Sequence, residues 1–221
     1  MRRNALGFAW QRPATAPDGE PSQPPARPVL SLIADHAARR GGATAVREVE
    51  RTISYAELFG AARHLARRLA ARNVGPSSIV AVALPGGIDS VTALLGVLMC
   101  GAAYCPLDTT DTHRTLRLLE PVSPAIVLTS SAHATRFGDR QCLLTDPPHP
   151  DPQSPVPAVR PSTAPACVIH TPTERLEFTH AALSSLVTSA QHPHFDLDSA
   201  GAEIARTLST LAAGATLTLP Q

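Results

Sequence analysis

The hexapeptide IVAVAL at residues 79–84 has no polar side chain and runs into Pro85-Gly86-Gly87. An apolar run this short, stopped by residues that break regular structure, reads as a strand buried on both faces in the middle of a covered parallel sheet. Downstream, the pattern alternates. Residues 89–100 are helical in period, 103–107 form a strand, 112–119 a helix, and AIVLTS at 125–130 a further apolar strand. Strand, helix, strand units joined by short connections predict an α/β fold, with a mostly parallel, right-handed sheet covered by helices on both faces.

Upstream of the central strand, Leu30, Ile33, Ala34 and Ala37 make one helical face that Gly41-Gly42 ends. AVREV at 45–49 leads through Glu50-Arg51 to Thr52-Ile53, a short hairpin. Ser54 and Glu57 have the S-x-x-E spacing of a capping box. They predict a helix lined by Leu58, Ala62, Leu65 and Leu69 that ends near Asn73-Val74-Gly75. Two proline-rich stretches set the expected boundaries. Residues 1–28 read as a disordered leader and 29–145 as an α/β subdomain. Residues 146–165 read as an extended connection, and 166–221 as a separate, partial second sheet unit. That last unit is expected to hold strands at 167–170, 176–178 and 215–219 and a helix at 179–190 capped by Thr179.

Composition removes several chemistries. All 19 residues counted as Lys+Arg are arginine, so no lysine can form a Schiff base or reach a phosphate from a glycine-rich loop. A net charge of +1 gives no basic face for nucleic acid or an acidic membrane, and Arg67 and Arg68 read as a solvated helix surface. Cys100, Cys105, Cys142 and Cys167 fit neither a CxxC pair nor a zinc knuckle and read as buried, reduced thiols. No signal-peptide core or membrane span is recognised, which leaves a cytoplasmic location as the expectation. His192 and His194 lack a third ligand at a metal-binding spacing, so no metal is expected. Neither a G-x-S-x-G elbow nor a G-x-G-x-x-G turn occurs.

ISYAEL at 53–58 and LMCGAAYCPLD at 98–108 resemble the first two core motifs of the adenylation domains of nonribosomal peptide synthetases, within the AMP-forming acyl and amino-acid ligases. Met99 stands where that family usually has lysine. THAAL at 179–183 resembles the TH-x-AL that comes after the family's phosphate loop, and LAAGATL at 211–217 resembles its later LLAGATL. The resemblance implies the N-terminal part of an adenylate-forming fold. It also implies a chemistry in which ATP and a carboxylate give an acyl-adenylate destined for a carrier thiol.

The family's phosphate loop reads YTSGSTGxPKG. Here Ile169, His170 and Thr171 match its start, Thr179 and His180 match the TH beyond its end, and PTERLEF at 172–178 fills the gap without glycine or lysine. Backbone that wraps phosphate needs residues without side chains, and Pro172 removes one N–H donor. Glu174 and Glu177 add charge of the wrong sign for a triphosphate. No residue is therefore assigned a catalytic role. Thr171, Thr173 and His180 remain as a vestigial phosphate-loop region, and ATP with magnesium is expected only if residual nucleotide binding survives there. Asp196 and Asp198 in FDLD read as surface or capping carboxylates, and Asp108 as a turn residue. The family's later segments, including its adenine- and ribose-binding motifs and catalytic lysine, do not occur in the sequence. The expected role is binding or scaffolding beside a peptide synthetase or other protein, with self-association through a sheet edge also allowed. The alternative is a split ligase active only with a partner chain that supplies the missing half.

Overall fold

The structure is a computed structural model that describes residues 27–110, 112–138, 142–145, 163–170, 175–188 and 200–219. Most of the leader, most of the 146–165 connection, Thr171, Thr173, the two histidines of HPH and the FDLD segment lie outside the described residues. In chain order the elements begin with α1 (Val29–Arg39), the hairpin β1 (Thr44–Arg47) and β2 (Thr52–Ser54), and α2 (Tyr55–Ala70). Next come β3 (Ile79–Ala83), α3 (Ile88–Met99), β4 (Ala103–Pro106), α4 (Thr112–Val122) and β5 (Ile126–Thr129). A short α5 (Ser131–Ala134) then precedes β6 (Cys142–Leu144), β7 (Pro165–His170) and β8 (Arg175–Thr179). The chain closes with α6 (His180–Thr188), α7 (Ala200–Ala212) and β9 (Leu217–Thr218).

β3 sits inside a six-stranded sheet of order β6-β5-β3-β4-β7-β8, in which only β8 runs antiparallel to its neighbour. After β3 the chain pairs β4 on one side and then crosses to pair β5 on the other. Right-handed crossovers then put α3 and α4 on opposite faces. The residues of IVAVAL divide accordingly: Val80 and Val82 join the core that holds α2 and α3, and Ala81 and Ala83 join the core under Leu119, Val122 and Phe137. The double-sided burial read from the sequence is thus present.

Local chemistry sets the helix ends. The Ser54–Glu57 capping box forms: the Glu57 N–H donates to Ser54 Oγ at 3.3 Å, and Ser54 N–H donates to Glu57 Oε2 at 2.9 Å. The Ser54 hydroxyl, also donating to that oxygen, holds the Glu57 carboxyl below its ordinary range. At the far end of α3, Gly101 takes φ +75° while its N–H donates to Leu98 O and Ala102 N–H to Val97 O. This is a Schellman cap, and it explains the glycine of LMCGAAYCPLD. Gly96 lets α3 lie against α2, because a Cβ there would come within 2.9 Å of the Leu65 side chain.

The sequence reading separates residues 166–221 from the first sheet; the structure joins them to it. β7 buries Ala166, Cys167, Val168 and Ile169 and pairs parallel to β4, with Tyr104 opposite Cys167. The second sheet is a three-stranded one, order β2-β1-β9, built from the early hairpin and the last strand. The proline density of 146–165 marks an irregular connection but carries no information on which sheet the next strand enters.

The motifs give no sign of α7, and it is the element that closes the fold. Its Ile204, Leu208 and Leu211 are buried, and its last turn is held by side chains from α1 and α2. The Tyr55 hydroxyl lies 2.8 Å from Ala215 O and 3.1 Å from Leu211 O, its single proton shared between the two carbonyls. His36 Nε2–H donates to Ala212 O at 3.0 Å, which leaves Nδ1 to accept from Arg40 at 3.2 Å. Gly214, at φ +73°, has no room for a side chain, since a Cβ would lie 2.4 Å from Arg40 Nη2. Removing the buried hydroxyl takes a donor from Ala215 O, while Leu211 O keeps the Gly214 N–H, so Tyr55→Phe is expected to lower stability by about 1–3 kcal/mol in urea unfolding. Gly214→Ala adds backbone strain and a clash, and is expected to cost more than Tyr55→Phe in the same measurement.

Candidate nucleotide site

β7 and β8 pair antiparallel with His170 opposite Arg175, so residues 171–174 alone join them. The two strands therefore meet where the family's phosphate loop would need several more residues to curl around an anion. Glu177, read from the sequence as unfavourable charge, is ion-paired to Arg175 on the exposed side of β8, so its charge is partly offset. Thr179 caps α6 as expected, its Oγ1 accepting from Ala182 N–H at 3.1 Å.

His180 opens α6 and is 7% exposed. Its backbone N–H donates to Ala164 O at 3.2 Å, and its carbonyl accepts the Ser184 hydroxyl at 3.0 Å. Burial lowers the pKa of the ring, with a hydrogen bond to the Gly101 backbone acting the other way. Nε2 is buried and has no hydrogen-bond partner. The ring is thus an interior group beside the end of α3.

A cleft of about 260 Å³ opens at the carboxyl ends of β3 and β4, between Gly86-Gly87 and the first turns of α7. Carboxyl ends of parallel strands are where open α/β sheets usually hold ligands. Its walls are largely apolar, and the charged side chains that line it are Asp108 and Glu203. Among the described residues no arginine or histidine lines it, so there a polyphosphate would meet two carboxylates. Asp108 serves a turn, as read from the sequence: its Oδ1 accepts from Thr110 N–H at 2.8 Å and from the Thr110 hydroxyl at 2.6 Å. Tyr104 also lines the cleft, and burial pushes its phenol well above the ordinary range.

The thiols have no catalytic setting. Burial pushes Cys100 and Cys105 up to about 12 and raises Cys167 as well, so these sulfurs stay protonated. Cys142 is half-buried rather than buried. Arg68, read as a solvated residue, is 6% exposed, and desolvation lowers its pKa. Helix periodicity places it off the apolar face, but the β1–β2 hairpin and α3 cover that side of α2. Among the described residues no cluster of His, Cys, Asp and Glu could hold a metal ion, and no helix is long and apolar enough to cross a membrane.

The lowered pKa of His180 has a consequence for stability. Below the ordinary histidine value of 6.5 the unfolded chain takes up a proton that the folded ring resists, so stability falls as pH drops through that value. His180→Gln is expected to flatten the decline in melting temperature between about pH 7 and pH 5.5 relative to the unsubstituted chain.

Comparison with known proteins agrees with this geometry. A family model described as AMP-binding enzyme matches residues 33–194. The isonitrile lipopeptide synthase of Streptomyces coeruleorubidus is 48% identical over 231 aligned residues, covering 90% of this chain and 15% of that protein. The probable non-canonical nonribosomal peptide synthetase CymA of Salinispora arenicola is 34% identical over 85% of the chain and 2% of its own length. Among solved structures, the nonribosomal peptide synthetase FmoA3 in its AMPPNP-bound form superposes with a TM-score of 0.73 at 26% identity, over 90% of this chain and 23% of that one. The chain thus spans a small part of the relatives it matches. With the fold, the capped motifs and these similarities in agreement, the chain belongs to the AMP-binding enzyme family and resembles the N-terminal portion of nonribosomal peptide synthetase adenylation domains.

Proposed function

We propose that this chain is an adenylation-domain-like protein of nonribosomal peptide biosynthesis that does not activate an amino acid by itself and acts as a binding or scaffolding partner of a synthetase. The observation that carries this reading is the closure of β7 on β8 through residues 171–174. A triphosphate is gripped by several backbone N–H groups that converge on it, usually with a lysine. Here the connecting residues are Thr171, Pro172, Thr173 and Glu174, and the sequence contains no lysine.

The AMP-binding family works with ATP and magnesium, and the residues present do not fit that pair. Among the described residues that line the cleft at the carboxyl edge, the charged ones are Asp108 and Glu203. Electrostatic stabilisation of developing charge is usually the largest catalytic contribution, and no cationic side chain among the described residues lines this cleft. The sheet, by contrast, is complete enough to present a folded surface to a partner, and protein partners suit a chain whose relatives are parts of multidomain synthetases.

The second reading, a split ligase completed by another polypeptide, draws on the small share of each relative that the chain spans. The same hairpin counts against it, because a partner would have to replace a backbone cradle inside this chain. Both readings meet in an ATP–pyrophosphate exchange assay across the proteinogenic amino acids. The purified chain is expected to give no exchange above background, and addition of a co-purifying synthetase is expected to add only that synthetase's own activity. Exchange by the chain alone overturns the proposal, and exchange that needs both chains moves it to the split ligase.

A further inference from the structure

The cleft at the carboxyl ends of β3 and β4 is lined by two polar side chains that the fold leaves idle. Tyr104 of β4 is 7% exposed and Thr207 of α7 is 4% exposed. Among the described residues, neither hydroxyl makes a hydrogen bond. The other tyrosine differs, since the Tyr55 hydroxyl is placed on two carbonyls. Leaving a buried hydroxyl unpaired is costly, and two of them on one cavity point to a group that binds there. Glu203 lines the same cleft one helical turn before Thr207, with its side chain exposed. Among the described residues it has no ion-pair partner. Burial first, and Cys167 and Glu203 after it, hold the Tyr104 phenol above its ordinary value, which sets the Glu203 carboxylate near that hydroxyl.

We infer that this cleft is a binding site for a primary ammonium group carried on a small apolar body, with Glu203 as its counter-ion and the Tyr104 and Thr207 oxygens as further acceptors. An ammonium has three N–H groups, and these three side chains offer an oxygen for each. Val82, Leu94, Ile204 and Leu219 supply the apolar wall against which the body would pack. A volume of about 260 Å³ is below that of most ligand pockets and limits the body to a few carbon atoms. An amino acid fits less well, because its carboxylate would meet Glu203 and Asp108 with no cation among the described lining residues. Such an amine would bind whether or not the chain also docks on a synthetase, so the two readings fail separately.

The test is thermal unfolding of the full chain at about pH 7.5, where an alkylamine is protonated and a carboxylate ionised. Isopentylammonium chloride is graded against sodium chloride at constant ionic strength, with isopentanol and leucine as comparison ligands. The ammonium is expected to raise the melting temperature, and the alcohol and the amino acid to raise it less at equal concentration. Glu203 is exposed, so Glu203→Gln keeps the fold, and the ammonium concentration for half the shift should rise by about tenfold or more. Tyr104→Phe should raise it by about threefold or more, while leaving the melting temperature without ligand unchanged or higher, because the lost hydroxyl has no partner to forfeit. No shift with the ammonium overturns the inference, as does an equal or larger shift with the alcohol or leucine, or a response that either substitution leaves unchanged. A lower melting temperature of Tyr104→Phe without ligand also overturns it, since the hydroxyl would then already be held within the fold.

Discussion

The carbonyls of Leu211 and Ala212 at the end of α7, and of Gly214 and Ala215 just beyond it, receive hydrogen bonds from Tyr55, His36 and Arg40. A helix terminus buried without donors would be costly, so this contact decides where α7 and β9 can sit. It also couples distant sequence. Tyr55 belongs to ISYAEL and the carbonyls belong to LAAGATL, so two family-like segments more than 150 positions apart form one structural device. Through it β9 reaches β1, where Leu219 N–H donates to Arg47 O at 3.0 Å and the second sheet closes.

The motifs that carry the family resemblance therefore hold the fold together without needing any chemistry to survive. The capping box on α2, the Schellman glycine at Gly101, the turn made by Asp108 and the Tyr55 hydroxyl each satisfy backbone or side-chain polar groups. A fold and the site grafted on it can be separated in this way, since stability depends on the polar groups being paired and activity on a few placed charges. Gly87 shows the structural side clearly. At φ +115° it leaves room for the Glu48 carboxylate, which accepts from the Ile88 N–H and fixes the hairpin on the start of α3.

Much of the central sheet is legible in the sequence because its signals are local. IVAVAL, S-x-x-E, the glycine after α3 and the threonine before α6 each act within a few residues, and each produces the expected element. The parts that are not legible depend on long-range pairing. Nothing local tells β7 to lie beside β4, or β9 beside β1, after the irregular connection. The burial of Arg68 likewise depends on the elements that cover α2, not on its position along the helix. α7 has a readable period in Ile204, Leu208 and Leu211, but a helical period alone does not say which surface the helix will close. β6 and α5, each short, have too little pattern to stand out.

For function, the decisive feature is a register. With His170 opposite Arg175, only Thr171, Pro172, Thr173 and Glu174 separate the two strands, and proline has no N–H to offer an anion. Calorimetric titration of the purified chain with ATP in the presence of magnesium measures this most directly. No saturable heat is expected at concentrations up to about 1 mM, the upper end of ordinary substrate affinities. Saturable binding that is lost on replacing Thr171 and Thr173 would contradict the account.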